Sequence, residues 1–231
     1  MRAGSTQVTG RCNVSKDEVF QPWLQERKIE DVEAFVPDMA GSARGKVVPA
    51  DKFGTGSMKM PEAIFSQTVS GSYIKDPSNV EDRDMILTPD STTLRPVPWA
   101  SDPAASVFLD CHHRDGTPVS QSPRAVLRNV LGKYEARGWI PVVAPEVEFY
   151  LLSAHSDPNA EAEPPEGRLG WTEGAKQPYS IDTMNDFDPF INDLYAYCEA
   201  QGIRIDTLSQ EMGPAQFEIC LLYTSPSPRD H

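Results

Sequence analysis

Apolar and polar residues alternate through Val32, Ala34 and Val36, stop at the turn formers Pro37, Asp38, Gly41 and Gly45, and resume at Lys46-Val47-Val48. A period of two sends successive side chains to opposite faces of a strand, so the stretch predicts a β-hairpin. Just upstream the spacing changes. Ser15-Lys16-Asp17-Glu18 has the form of a capping box, and Phe20, Trp23, Leu24 and Arg27 follow at helical intervals, predicting a short helix. From Gly54 to Pro103 the chain is rich in Pro, Gly, Ser and Asp, interrupted by the strand-like runs "DMILTPD" and, just beyond, "SVFLD".

The clearest helical pattern is "SPRAVLRNVLGKYEARG". Ser122 suits its cap, Pro123 its first turn and Gly138 its exit, and Val126, Leu127, Val130, Leu131 and Tyr134 form one stripe expected to face a core. It leads into "APEVEFYLL", a strand. Residues 154–180 are polar and Pro-rich, and a loop of that length predicts a functional flap or a crossing over the surface. A second helix carries Phe187, Phe190, Ile191, Leu194 and Cys198 on one face and ends at Gly202. "IRIDTLSQEMGPAQFEI" then alternates around a Gly-Pro turn, predicting a second hairpin.

Composition narrows the class. With 231 residues and 39% hydrophobic content, the chain can bury a globular core. Its 34 acidic against 21 basic residues, a formal charge of -13, argue against nucleic acid or an anionic membrane as partner. The N-terminus lacks the apolar segment of a secretory signal, and the four cysteines are scattered without CxxC spacing. Both point to the cytoplasm. Cys111, His112 and His113 have ligand chemistry but no second cluster, so ordinary strand-end residues are the expectation.

The strand "EVEFY" raises the chemical question. Glu146 and Glu148, two residues apart, share a face, while Val147 and Phe149 share the other. The second hairpin adds Glu211 and Glu218 on extended structure. Like charges this close call for a cation, and a hard divalent metal takes oxygen ligands and bridges them to phosphates. Separate ion pairs to Arg or Lys satisfy the same spacing.

Six pieces, in order, resemble the glutamine synthetase family and within it the branch of the gamma-glutamylpolyamine synthetases: "DMAGSARGK", "MPEAIF", "DMILTPDSTTLRPVPW", "SPRAVLRNVLGKYEARGW", "PVVAPEVEFYLL" and "EMGPAQFEI". The resemblance covers about residues 17–219 and about the first half of a full-length member. It implies an α+β fold, with a disordered N-terminus over residues 1–16 and a β-grasp domain over 17–118. Residues 119–219 would be the first part of a catalytic domain, a curled antiparallel sheet with flanking helices. It also implies ATP-dependent ligation of the gamma-carboxylate of glutamate to a primary amine, polyamine or ammonia, through gamma-glutamyl phosphate. ATP and Mg2+ or Mn2+ are the cofactors it implies, and a homo-oligomeric ring the assembly. Glu148, Glu211 and Glu218 match the ligands of one family metal site, and Glu146 matches the residue that starts a second beside the nucleotide phosphates. Glu148 and Glu211 are also implied to touch substrate.

Departures from the family pattern matter too. Ammonia-using members lead an N-terminal motif with aspartate, whereas the matching stretch here is Ser70-Gly71-Ser72, which favours a bulkier amine at this substrate-binding position. Asp90 matches a family position and equally suits a turn cap. Gln210 stands where histidine usually precedes the glutamate, which puts the tuning of Glu211 in question. The tail "LLYTSPSPRDH" resembles a translated sequencing-adapter peptide, so residues 220–231 are expected to be non-native and the chain a fragment. Such a fragment should be inactive alone, with Ile203, Ile205 and Phe217 exposed on unpaired strands. A non-catalytic interaction subunit of the same family is the alternative reading.

Overall fold

The computed structural model describes residues 16–68, 70–74, 83–157, 159–221 and 223–224. Residues 1–15 of the expected disordered segment, Ser15 among them, lie outside these residues, whereas Lys16, its expected last residue, opens the first helix. The chain forms two units, Met1–Val126 and Leu127–His231, in a mixed α+β fold.

In the first unit, α1 (Lys16–Glu26) precedes β1 (Asp31–Pro37), β2 (Ala43–Pro49), β3 (Met58–Pro61), β4 (Asp84–Pro89), β5 (Arg95–Pro96) and β6 (Ala104–His112). The sheet order is β2-β1-β6-β4-β3, with β5 also on β6. The expected hairpin forms: β1 and β2 pair antiparallel from Asp31↔Pro49 to Pro37↔Ala43. β1 also runs parallel to β6. Both strands alternate buried and half-buried residues, so one face holds the core, with Val32, Ala34 and Val36 against Val107, Leu109 and Cys111. Helix α1 closes this core with Phe20 and Leu24, and the Phe20 ring meets Phe53 edge-on at 5.1 Å.

The turn of the hairpin is held by one carboxylate. Asp38 Oδ1 accepts from the Ala40 and Ser42 N–H groups, each at 2.9 Å, and Oδ2 accepts from Arg44 Nε at 2.8 Å. Gly45 faces Phe35 across the pair, and a Cβ there would lie 2.2 Å from the Ala34 carbonyl oxygen. A close approach of backbone to backbone therefore requires glycine at this position.

Helix α2 (Pro123–Glu135) starts where Arg124 bonds Asp90 Oδ2 at 2.5 Å and Asp110 Oδ1 at 3.0 Å, its guanidinium 5.1 Å from the Phe108 ring. Its apolar stripe is not core, contrary to the sequence pattern. Val126 is 51% exposed, Leu127 57%, Val130 42% and Tyr134 39%, so no described residue covers the stripe as a core would. Amphipathicity marks a face that needs burial; it does not supply the partner.

The second unit continues with β7 (Val142–Val143), β8 (Glu146–Tyr150), α3 (Ile181–Asp186), α4 (Asp188–Ala200), β9 (Ile205–Gln210), β10 (Gln216–Leu221) and β11 (Tyr223–Thr224). Strands β8-β10-β9 form an antiparallel sheet and β11 pairs with β7. One face of the sheet packs on the helices through Phe149, Phe187, Phe190, Ile191, Leu208 and Phe217. Phe217 is fully buried, its ring 5.5 Å from Phe187 and 6.1 Å from Phe149, and Ile203 and Ile205 are half-buried. The expected exposure is overturned for Phe217, because α3 and α4 pack over that face of the sheet and remove its ring from water, while Ile203 and Ile205 stay partly exposed. The long loop is anchored as well: Asp186 accepts the Leu169 N–H at 2.8 Å, and a Cβ on Gly167 would collide with its carboxylate. No helix among the described residues is long and apolar enough to cross a membrane.

Candidate carboxylate site

The register of β8-β10-β9 sorts the side chains. Glu218 lies directly opposite Glu148, and Cys220 opposite Glu146, while Phe217 lies opposite Phe149. Cross-strand partners share a face, so Glu146, Glu148 and Glu218 stand together on the side away from the aromatic core. On β9, Ser209 pairs with Glu218 and Gln210 with Phe217. Glu211, two residues past Ser209, opens the β9–β10 turn, where its N–H donates to the Gln216 carbonyl at 2.8 Å. Like charges directly opposite destabilise a sheet. Here Glu218 registers the strain: partial burial, then the charges of Glu146, Glu211 and Glu148, raise its carboxyl above the ordinary range. The sequence-predicted acids thus come into mutual electrostatic range.

Their chemistry fits a divalent cation: every donor is a hard carboxylate oxygen, and positive charge would relieve the repulsion the sheet imposes. Among the described residues, no three or more His, Cys, Asp or Glu side chains are arranged so that they could hold a metal ion. The fit therefore rests on donor type and charge.

A polar network backs the site. Gln210 is fully buried, and its side chain points to the helix side, away from Glu211. Its Nε2 donates to Glu173 Oε1 at 2.5 Å, and its Oε1 accepts the Ser180 N–H at 3.2 Å. Glu173 also accepts Thr183 Oγ1–H at 3.3 Å and, through Oε2, the Ala215 N–H at 2.7 Å. The loop, the start of α3 and the β9–β10 turn are thus pinned together. Glu173 lies in a loop without periodic signal and escapes a reading by pattern; Gln216 is in phase with Glu218 on an alternating strand, the signal by which it could be found.

Other candidates lie in the first unit. Ser70, Gly71 and Ser72 form an exposed tight turn with Gly71 at φ +84, closed by Gly71 N–H to the Thr68 carbonyl at 2.9 Å. Asp90 caps a short helical turn through the Thr92 N–H at 3.2 Å and pairs with Arg124. Cys111 points into the core, where burial pushes its thiol up to about 11, while its neighbour His112 lies on the opposite side of β6. Alternation along the strand keeps the two from acting as joint ligands.

Residues 120–228 match the family described as glutamine synthetase, catalytic domain. The chain is 31% identical over 204 residues to gamma-glutamylputrescine synthetase of Escherichia coli strain K12, covering 84% of this chain and 42% of that protein. It is 28% identical over 210 residues to glutamate–isopropylamine ligase of a Pseudomonas species, covering 87% and 45%. A glutamine synthetase of Methanosarcina mazei is 28% identical over 211 residues, covering 89% and 43%. Among solved structures, a novel glutamine synthase homolog superposes with a TM-score of 0.69 at 21% identity, over 85% of this chain and 44% of that one. That likeness concerns the fold. The chain spans less than half the length of the relatives it matches.

Proposed function

The chain belongs to the glutamine synthetase family, and from that premise we propose that the whole protein joins the gamma-carboxylate of glutamate to an amine at the expense of ATP. The glutamates on the β8-β10-β9 face would hold the divalent cations: Glu148, Glu211 and Glu218 one, and Glu146 part of a second. When bound, such cations supply charge that neutralises phosphate oxygens during phosphoryl transfer. The chain's own contribution is positional. The sheet fixes Glu148 and Glu218 opposite each other, and Glu211 at the β9–β10 turn lies within electrostatic range of Glu218, so closing these donors on a cation would take movement of their side chains. Glutamate's carboxylate would be phosphorylated, and the amine would then displace phosphate to form the amide.

The observation that supports this most is the Glu148↔Glu218 cross-strand pair, a placement that costs stability unless a cation meets it. Two relatives act, by name, on putrescine and isopropylamine. With no aspartate before Ser70-Gly71-Ser72, a primary amine is the substrate we assign. We also place the protein in the cytoplasm and assign it a homo-oligomeric ring. The test is Mg2+-dependent phosphate release by the whole protein with glutamate, ATP and a panel of ammonia, alkylamines and diamines. Glu148→Gln should abolish turnover; near-normal release by that variant would sink the assignment, and a preference for ammonia would sink the amine class.

A further inference from the structure

Gln216 opens β10 on the carboxylate face, and both ends of its amide are engaged. Its Nε2 donates to Glu148 Oε1 at 2.5 Å, and its Oε1 accepts the Gly213 N–H at 2.6 Å. The two bonds fix the amide's orientation: with the oxygen committed to the backbone, the amino end must face Glu148. The Gly213 N–H belongs to the same turn that carries Glu211, whose own N–H binds the Gln216 carbonyl. One residue therefore ties the carboxylate on β8 to the turn beyond β9.

Gly213 makes room for this arrangement. A Cβ there would lie 2.7 Å from Gln216 Oε1 and 2.6 Å from the Tyr150 ring and hydroxyl. Both obstacles are far ends of flexible side chains, so an alanine would fold but would displace the amide. No positive φ at Gly213 demands glycine, which leaves the close approach of Gln216 and Tyr150 as its reason.

We infer that Gln216 is a positioning residue for a divalent cation held by Glu148, orienting that carboxylate and coupling it to the Glu211 turn. The inference rests on the cation reading given above. Ligating carboxylates depend on their own hydrogen-bond partners, and losing one costs about 10–100-fold in metal affinity.

Titration of the whole protein with Mn2+, followed by electron paramagnetic resonance, tests it. Gln216→Met should weaken binding about 10–100-fold, and Gly213→Ala should weaken it in the same direction while circular dichroism shows the fold intact. Glu148→Asp keeps the charge but withdraws it from the amide, so Gln216→Met should add less than about threefold in that background, the non-additivity expected of a contacting pair. A merely structural role would weaken binding equally in both backgrounds, and that result overturns the inference. So does an affinity for Gln216→Met within about threefold of the unsubstituted whole protein. If the unsubstituted whole protein binds no Mn2+ at all, the cation reading itself fails, and this inference with it.

Discussion

Replacing Gln210 by leucine removes an amide from a fully buried position without changing its bulk greatly. The bond from Nε2 to the Glu173 carboxylate, at 2.5 Å, has a charged acceptor, and such bonds contribute about 1.5–3 kcal/mol. The Ser180 N–H bond to Oε1, at 3.2 Å, is between neutral groups and contributes about 0.5–1.5 kcal/mol. After substitution Glu173 Oε1 keeps Thr183 Oγ1 at 3.3 Å, a poor replacement, and the Ser180 N–H faces an alkyl group. The added apolar burial offsets roughly 1 kcal/mol, leaving a net loss of about 1–3.5 kcal/mol. For a unit of this size each kcal/mol is about 4–8 °C, so the second unit's midpoint should fall by roughly 5–25 °C. Calorimetry reads this directly, with Ser209→Ala, on the opposite face, as control. A Gln210→Leu loss below about 0.5 kcal/mol, the range of ordinary surface changes, would refute the network.

Phe217→Ala, in the centre of the aromatic cluster, should cost the second unit about 3–5 kcal/mol in urea unfolding and leave the first unit's transition in place. Gly45→Ala forces a methyl against the Ala34 carbonyl and should destabilise the first unit by about 1–3 kcal/mol, seen as a lower denaturation midpoint. The Arg44 bond, opposed by burial and aided by the Ser42 and Ala40 N–H groups, holds the Asp38 carboxyl below its ordinary range. Its stabilisation is therefore full above the unfolded-state value and lost as pH falls through the folded one. Melting between neutral and acidic pH should show that slope in the first unit, and Asp38→Asn should flatten it. Mg2+ or Mn2+ at about 100 times its dissociation constant should stabilise the second unit by about 2.7 kcal/mol, and EDTA should reverse the shift.

The two hairpins and α4 could be read from the sequence because alternation and helical spacing are local properties of a few adjacent residues. Val32, Ala34 and Val36 announced their face, as did Phe187, Phe190 and Ile191. The carboxylate face was legible for the same reason: a period of two put Glu146 and Glu148 together whatever lay opposite. The bond of Glu173 to Gln210, 37 residues away, and its bond to the Ala215 N–H, 42 residues away, join a loop without periodicity to a turn. Local pattern carries no trace of such a pairing. The stripe on α2 failed in the opposite way: the pattern is real, but burial depends on what lies above it, and Val130 and Tyr134 remain exposed.

The site and the core of the second unit are two readings of one register. Phe149 pairs with Phe217 and Glu148 with Glu218, one residue apart on the same strands. A slip of one position would drive carboxylates into the aromatic cluster and expose the phenyl rings, so the cost of burying charge forbids it. The aromatic pairs thus hold the acids opposite each other against their repulsion. It follows that the strength of the core sets how much like charge the opposite face can carry. A change that loosens Phe217 should also let Glu148 and Glu218 part, which makes cation affinity sensitive to residues that never touch the cation.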